Sequence, residues 1–262
     1  SGPWILAAPG AREIAESLAR QHPSLIDRGP IHLGVKTGSN AAFLDPDPTV
    51  EEALVRSAVR GRDVRPFEIK TTRRILWTHD ARGRPLGRLP PGAEQHLARW
   101  REVLEKRADG RDGPWWALFR VRPALAEHRV VWPDLARSLG AAVLSDAPDV
   151  IPLNSCYLTV AASSAEAHAL GAWLNAGPIR VLGRLRADPA MNGFARFNAR
   201  AVGAVPFPHA VSTDTVLATL AIAGARGDQI QGLLDAHVAD LLGLDARDRR
   251  ALALVPGAAD RR

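Results

Sequence analysis

The stretch IHLGVKTGSNAAF, Ile31 to Phe43, decides how the chain is read. Ile31, Leu33 and Val35 alternate with His32 and Gly34 at the period of a strand. The strand runs into a loop holding a second glycine, Gly38, one of the chain's three lysines, Lys36, and the short polar residues Thr37, Ser39 and Asn40. Gly34 and Gly38 let the backbone turn tightly and approach another backbone. Lys36 offers a point charge to a phosphate. Thr37, Ser39 and Asn40 offer hydrogen-bonding groups to a ligand or, equally, to the turn itself. The string is not a P-loop, because its glycines are too close together and its lysine precedes the second of them.

Charge extends the reading outward. The 262 residues carry 34 Lys and Arg against 28 Asp and Glu, a net +6. Leu54 to Arg74 holds Arg56, Arg60, Arg62, Arg65, Lys70, Arg73 and Arg74 against Asp63 and Glu68, a local +5. Arg180 to Arg200 holds Arg180, Arg184, Arg186, Arg196 and Arg200 against Asp188, a local +4. These two segments exceed the total, so the rest of the chain is net negative. A high-GC genome accounts for arginine in place of lysine but not for the clustering, which is the pattern of a polyanion-binding face. Arg60, Arg62 and Arg65, then Lys70, Arg73 and Arg74 on the following strand, are the candidate contacts, although some of them can pair with Asp63 or Glu68 instead. Arg196 and Asn198, beside Phe194 and Phe197, form a second candidate edge, with Phe197 reading equally well as core.

The composition is 46% hydrophobic, ample for one large or two small globular domains. The single cysteine, Cys156, excludes an internal disulfide and a multi-cysteine zinc site. No apolar run approaches a membrane span, and no basic segment precedes the short apolar opening as in a signal peptide, so a reducing cytoplasm is expected.

The periodicities predict an α+β fold. Ala11 to Arg20 reads as a helix, and residues 67–79, FEIKTTRRILWTH, as strand. One long helix is expected from Pro90, with Ala93, Leu97, Trp100, Leu104 and Ala108 on one face and a stop at Gly110. HRVVWP and DVIPLNSCYLTVA read as strands. Ser163 to Glu166 is a capping box opening a helix that buries Leu170, Trp173 and Leu174 and ends at Gly177-Pro178. The tail reads as helical, with Ile230, Leu233, Leu234, Val238, Leu241 and Leu242 on one stripe, Gly243 as a C-cap and a last helix from Ala246. Its six arginines and six aspartates after Gly224 cancel, as in packing structure. Most tryptophans sit at apolar-periodic positions, and His168 and His237 read as structural.

Catalytic motifs are missing: no P-loop, G-x-G-x-x-G, HExxH or nucleophile elbow occurs. Asp63, Glu68 and Lys70 could hold Mg²⁺ as in a nuclease, but only four residues, a proline among them, separate the carboxylates. A protein-binding adaptor with genomic arginine bias is the other alternative.

GVKTGSNAAF resembles the Gly-(Ile/Val)-x-Thr-Gly-x-Asn-x-Ala-Phe signature of the TaqI-like C-terminal specificity domain. This is the target recognition domain of N6-adenine DNA methyltransferases and type IIG restriction-modification enzymes. Further similarities follow in order. PWILA (Pro3–Ala7) resembles the lead-in from the catalytic domain, VRGRDVRPF (Val59–Phe67) the Gly-Arg-Asp segment, and HLARWREVLEKRADGRDGPWWALFR the helix with its later Trp-x-x-Leu. HRVVWPDL, FNARAVGAVPFP and LDAHVADLLGLDARD resemble the family's three remaining segments, with Leu242 where tyrosine is common.

The resemblance implies a mixed-sheet target recognition domain at 31–208 with an inserted helix. A lead-in at 1–30 precedes it and a small helical region at 209–262 follows. It further implies recognition of double-stranded DNA, in the bacterial cytoplasm at the nucleoid, with Lys36, Thr37, Ser39, Asn40 and the named arginines facing the duplex. The family's Pro-Pro-aromatic motif and glycine-rich S-adenosylmethionine loop do not occur in this sequence; LPPGA at Leu89 lacks the amide before and the aromatic after its prolines. No cofactor is therefore expected in this chain. S-adenosylmethionine belongs to a methyltransferase domain that flips and methylates the base. Purified alone, the chain is expected neither to bind S-adenosylmethionine nor to methylate DNA; calorimetric binding at micromolar affinity would overturn this.

Overall fold

The computed structural model describes residues 10–107 and 113–255. The PWILA segment, and the predicted helix end at Ala108 and Gly110, lie outside the described residues. The first third comprises α1 (Ala11–Gln21), α2 (Leu25–Arg28), β1 (Ile31–Leu33), α3 (Asn40–Phe43), β2 (Val55–Val59), β3 (Val64–Arg65), β4 (Glu68–Ile69) and β5 (Arg73–Leu76). The middle comprises α4 (Pro91–Ala98), α5 (Arg101–Glu105), α6 (Val121–Ala124), β6 (His128–Pro133), β7 (Leu135–Ala136), β8 (Ala142–Ser145), β9 (Val150–Pro152) and β10 (Cys156–Val160). Then follow α7 (Ser164–Asn175), α8 (Gly177–Arg186), β11 (Asp188–Pro189), β12 (Ala195–Arg196), α9 (Ala199–Gly203), α10 (Thr215–Ala225), α11 (Gln231–Leu241) and α12 (Ala246–Ala253). The fold is α+β.

An antiparallel sheet in the order β1, β10, β6, β8 forms the centre. Its strand β6 is buried on both faces and sorts its side chains by strand alternation. Val130 and Trp132 enter the larger core with α7, α8 and the C-terminal helices, while Val131 packs with Val59, Val64, Cys156 and Leu158 behind the sheet. Helix α7 is buried nearly all round over its last turns, as a helix enclosed by others must be. Asn175 at its end pins Ala141 through both backbone groups, each bond 2.8 Å. A second core, around Phe43, Ile75, Trp77 and Leu97, lies under the sheet β5-β2-β9, in which β2 runs antiparallel to β5 and parallel to β9.

Several expectations change in three dimensions. The long helix breaks at Arg99–Trp100 into α4 and α5; there the Arg99 guanidinium takes the His96 carbonyl (3.2 Å) and Asp47 (2.6 Å). Gly177-Pro178 ends α7 and also opens α8, where proline suits the first helical turn. DVIPLNSCYLTVA is two strands in different sheets, joined by a turn at Leu153–Ser155. Phe67 is the second turn residue of the β3–β4 hairpin at φ 65°, a conformation unusual for a β-carbon-bearing residue, with its ring packed against Gly224 of α10. Leu233 is 67% exposed because the inward stripe of α11 runs through Leu234, Val238 and Leu242. Trp77, Trp132, Trp173 and Phe197 are core, whereas Trp100, Trp115 and Trp116 pack partly buried on the second core.

His79, buried beside Trp77, gives a prediction for acid stability. Burial pushes its imidazole pKa down to about 4 from 6.5, with Asp80 offsetting part of the effect. The unfolded chain therefore takes up this proton first as pH falls. The stability present above pH 6.5 is lost between pH 6.5 and 4, on the order of 3 kcal/mol at most. A thermal midpoint measured across that window should fall in the wild type and fall less in His79→Gln.

Candidate nucleic-acid interface

The turn Pro152–Cys156 organises the candidate site. Val35 N–H donates to the Pro152 carbonyl (2.8 Å) and Gly34 N–H to Cys156 (2.9 Å), while Asn154 N–H donates back to Val35 (2.9 Å). Leu153 N–H donates to Val59 (2.8 Å) and Asp134 N–H to Ser155 (2.9 Å). The Ser155 hydroxyl accepts from Gly61 N–H (3.0 Å). Three segments distant in sequence, 34–40, 59–62 and 134–135, thus meet on one turn. Between them lies a groove of about 340 Å³, lined by Asn40, Arg60, Arg62, Leu135 and Asn154 among others. Cys156 beneath it is buried, and its thiol pKa is pushed far up by that burial, so it is chemically inert.

Gly34 is glycine because a β-carbon would overlap the Pro152 and Leu153 carbonyl oxygens. Gly38 sits at φ 71°, and a β-carbon there would strike the Arg107 side chain. Lys36 pairs its backbone with Phe119 in both directions, at 3.1 and 3.0 Å, and its side chain is half-buried. Thr37 is buried; its hydroxyl donates to Asn40 Oδ1 (2.8 Å) and its carbonyl accepts from Arg107 (2.5 Å). Thr37 thus closes the loop on itself. Ser39 precedes α3 without a side-chain cap bond, and Asn40 is exposed on the groove.

The RGRD loop is held by Asp63. Its carboxylate accepts from Arg60 N–H (2.8 Å) and from the Arg60 guanidinium (3.0 Å to each oxygen). Burial raises the Asp63 pKa, but these bonds and the Arg60 and Arg62 charges outweigh it and hold the pKa below 3.8. Asp63 is thereby occupied, and Glu68 lies on Lys70 at 2.9 Å. Among the described residues no cluster of three His, Cys, Asp or Glu could hold a metal ion. Arg62 and Arg65 are exposed, with Arg65 donating to the Arg62 carbonyl (3.1 Å).

The remaining candidates are placed differently. Arg73 pairs with Asp45 (2.6 Å) and Arg74 with Glu52 (3.3 Å), both at the surface next to the 40–45 segment. Arg196 pairs with Asp134 (2.5 Å) beside the groove. Asn198 caps α9 by accepting from Ala201 N–H (3.0 Å) and donates to Asp188 (3.1 Å). Arg56 is stacked on Trp77, 4.5 Å to the ring centroid, and Arg180 is buried near Ser138; the local charge counts treated both as surface cations. Sequence reading passed over Arg107, Asp134, Leu135, Asn154 and Ser155. The turn formers Pro152, Asn154 and Ser155 inside an apparent strand are the local signal of this turn.

Sequence comparison matches the chain to no protein-family model and to no curated protein. Comparison of folds finds similar structures. The type IIL restriction-modification enzyme MmeI, solved in complex with DNA, matches over 88% of this chain at 14% identity and TM-score 0.52. The type IIG restriction endonuclease BpuSI matches over 95% at 14% identity and TM-score 0.56. The chain spans about a third of each enzyme's length, 32% and 34% respectively. It therefore has a fold found within restriction-modification enzymes.

Removing the Asp63 carboxylate should uncouple the RGRD loop. Asp63→Ala leaves the Arg60 guanidinium and N–H without their acceptor and should lower the urea-derived stability by about 3 kcal/mol. Glu68→Ala, which breaks only an exposed pair, should change it by less than about 1 kcal/mol.

Proposed function

We propose that this chain is the DNA target recognition part of a restriction-modification-type enzyme with adenine-N6 methyltransferase activity. It holds a duplex for base flipping by a separate S-adenosylmethionine-dependent domain. The observation that carries this reading is the convergence of the 34–40 loop, the RGRD segment and the 153–155 turn on one groove. The shared fold with MmeI, solved in complex with DNA, supports it. In this reading residues 31–208 recognise DNA and 209–262 support them, in the bacterial cytoplasm at the nucleoid.

The ion pairs separate the arginines by role. Exposed pairs are worth about 0–1 kcal/mol, so Arg73, Arg74 and Arg196 exchange their carboxylates for phosphates at little cost. Arg60 is bound to a buried carboxylate and stays with it, shaping the loop that presents Arg62. Lys36 contacts the flanking phosphate, and Arg65 and Lys70 extend the same positive face. Ser39 and Asn40 lie at the mouth of the loop, while Thr37 and Asn198 hold backbone that positions their neighbours.

Fluorescence anisotropy with duplex DNA over a range of salt concentrations tests this. Arg73→Ala and Lys36→Ala should each weaken random and preferred duplexes alike and reduce the slope of log affinity against log salt by about one. Unchanged binding by both variants would refute the proposed face.

A further inference from the structure

We propose that Asn154 and Leu135 read one adenine-thymine pair from the major groove, Asn154 on the adenine and Leu135 on the thymine methyl. This inference rests on the DNA-recognition reading above. Neither residue stands out in the sequence, and the fold brings them together. Strand β10 pairs with β6 at Cys156↔Pro133, and Asp134 N–H continues that pairing to the Ser155 carbonyl (2.9 Å). Beyond it come Asn154, in the turn, and Leu135, the first residue of β7. Both line the groove.

Their chemistry is complementary to that base pair. Asn154 is exposed, and among the described residues its side-chain amide makes no hydrogen bond, while its backbone is locked to Val35 and flanked by the locked Leu153 and Ser155. A primary amide on a fixed backbone presents one acceptor and one donor side by side. Adenine answers with N6 as donor and N7 as acceptor, whereas guanine offers two acceptors and leaves the amide oxygen unmatched. Asn40, on the same groove, is less suited to this role, because its oxygen already accepts from Thr37, which fixes the amide's orientation to the loop. Leu135 is 45% exposed at a groove also lined by Leu44 and Leu153, on the short strand β7 paired to β12. An apolar group held there meets the thymine methyl, the apolar feature of the major-groove edge.

Selection of binding sites from a randomised duplex library, with wild type, Asn154→Ala and Leu135→Ala, tests the assignment. The wild type should select a consensus containing an adenine-thymine pair that Asn154→Ala no longer distinguishes. On the wild-type consensus, Asn154→Ala should lose on the order of tenfold in affinity, with random-duplex affinity unchanged. Replacing thymine by uracil at that pair should weaken the wild type and leave Leu135→Ala unaffected. Because both side chains are exposed, equal urea midpoints are expected for all three proteins. If Asn154→Ala selects the full wild-type consensus, the assignment is overturned while DNA recognition stands. If the wild type selects no consensus, both are overturned.

Discussion

Six hydrogen bonds on the turn Pro152–Cys156 tie together residues 34–35, 59–61 and 134, which are far apart in sequence. The turn is where the chain leaves the sheet β5-β2-β9 and enters the central sheet, so it belongs to both. Each bond joins backbone to backbone, or backbone to the Ser155 hydroxyl, in places where an unpaired group would carry a desolvation cost. The 34–40 loop cannot shift without giving up bonds to Pro152, Asn154 and Cys156 together. That cooperative constraint makes the groove a preformed surface.

Around this frame the arginines serve two ends. Arg107 and Arg129 are buried and spend their guanidinium groups on carbonyls, Arg107 on Thr37 and Trp115 and Arg129 on Ala124, Val150 and Ala147. They tie loops together where no regular pairing reaches. Burial lowers the Arg129 pKa to about 10, which still leaves it charged at neutral pH. At the surface, Arg73, Arg74 and Arg196 are each held by one carboxylate, in exposed pairs worth about 0–1 kcal/mol. High arginine content thus serves scaffold and surface in the same molecule.

The β3–β4 hairpin packs against the C-terminal helices. Phe67 at its tip packs on Gly224, and Arg65 and Glu68 beside it border a cleft of about 970 Å³ against α8, α11 and α12. The helical tail, whose charges cancel, thereby buttresses the hairpin. No helix among the described residues is long and apolar enough to cross a membrane.

Local rules determined much of this from the sequence alone. The helix at Ala11, the Ser163 N-cap, the strand HRVVWP and the last helix from Ala246 follow from periodicity and caps that act within a few residues, although the Glu166 carboxylate bonds Ala162 N–H and Arg28 and does not close a capping box. Gly34 and Gly38 were legible as close approach and left-handed turn because only glycine suits either. Charge clustering pointed to a surface but could not tell Arg56 and Arg180, turned inward, from Arg62, turned outward, since a net charge carries no direction. Only the tertiary structure split DVIPLNSCYLTVA into two strands and placed Asn154 and Leu135 on one groove. That choice rests on hydrogen bonds to residues 34, 35, 59, 61 and 134, partners that no local pattern around Asn154 encodes.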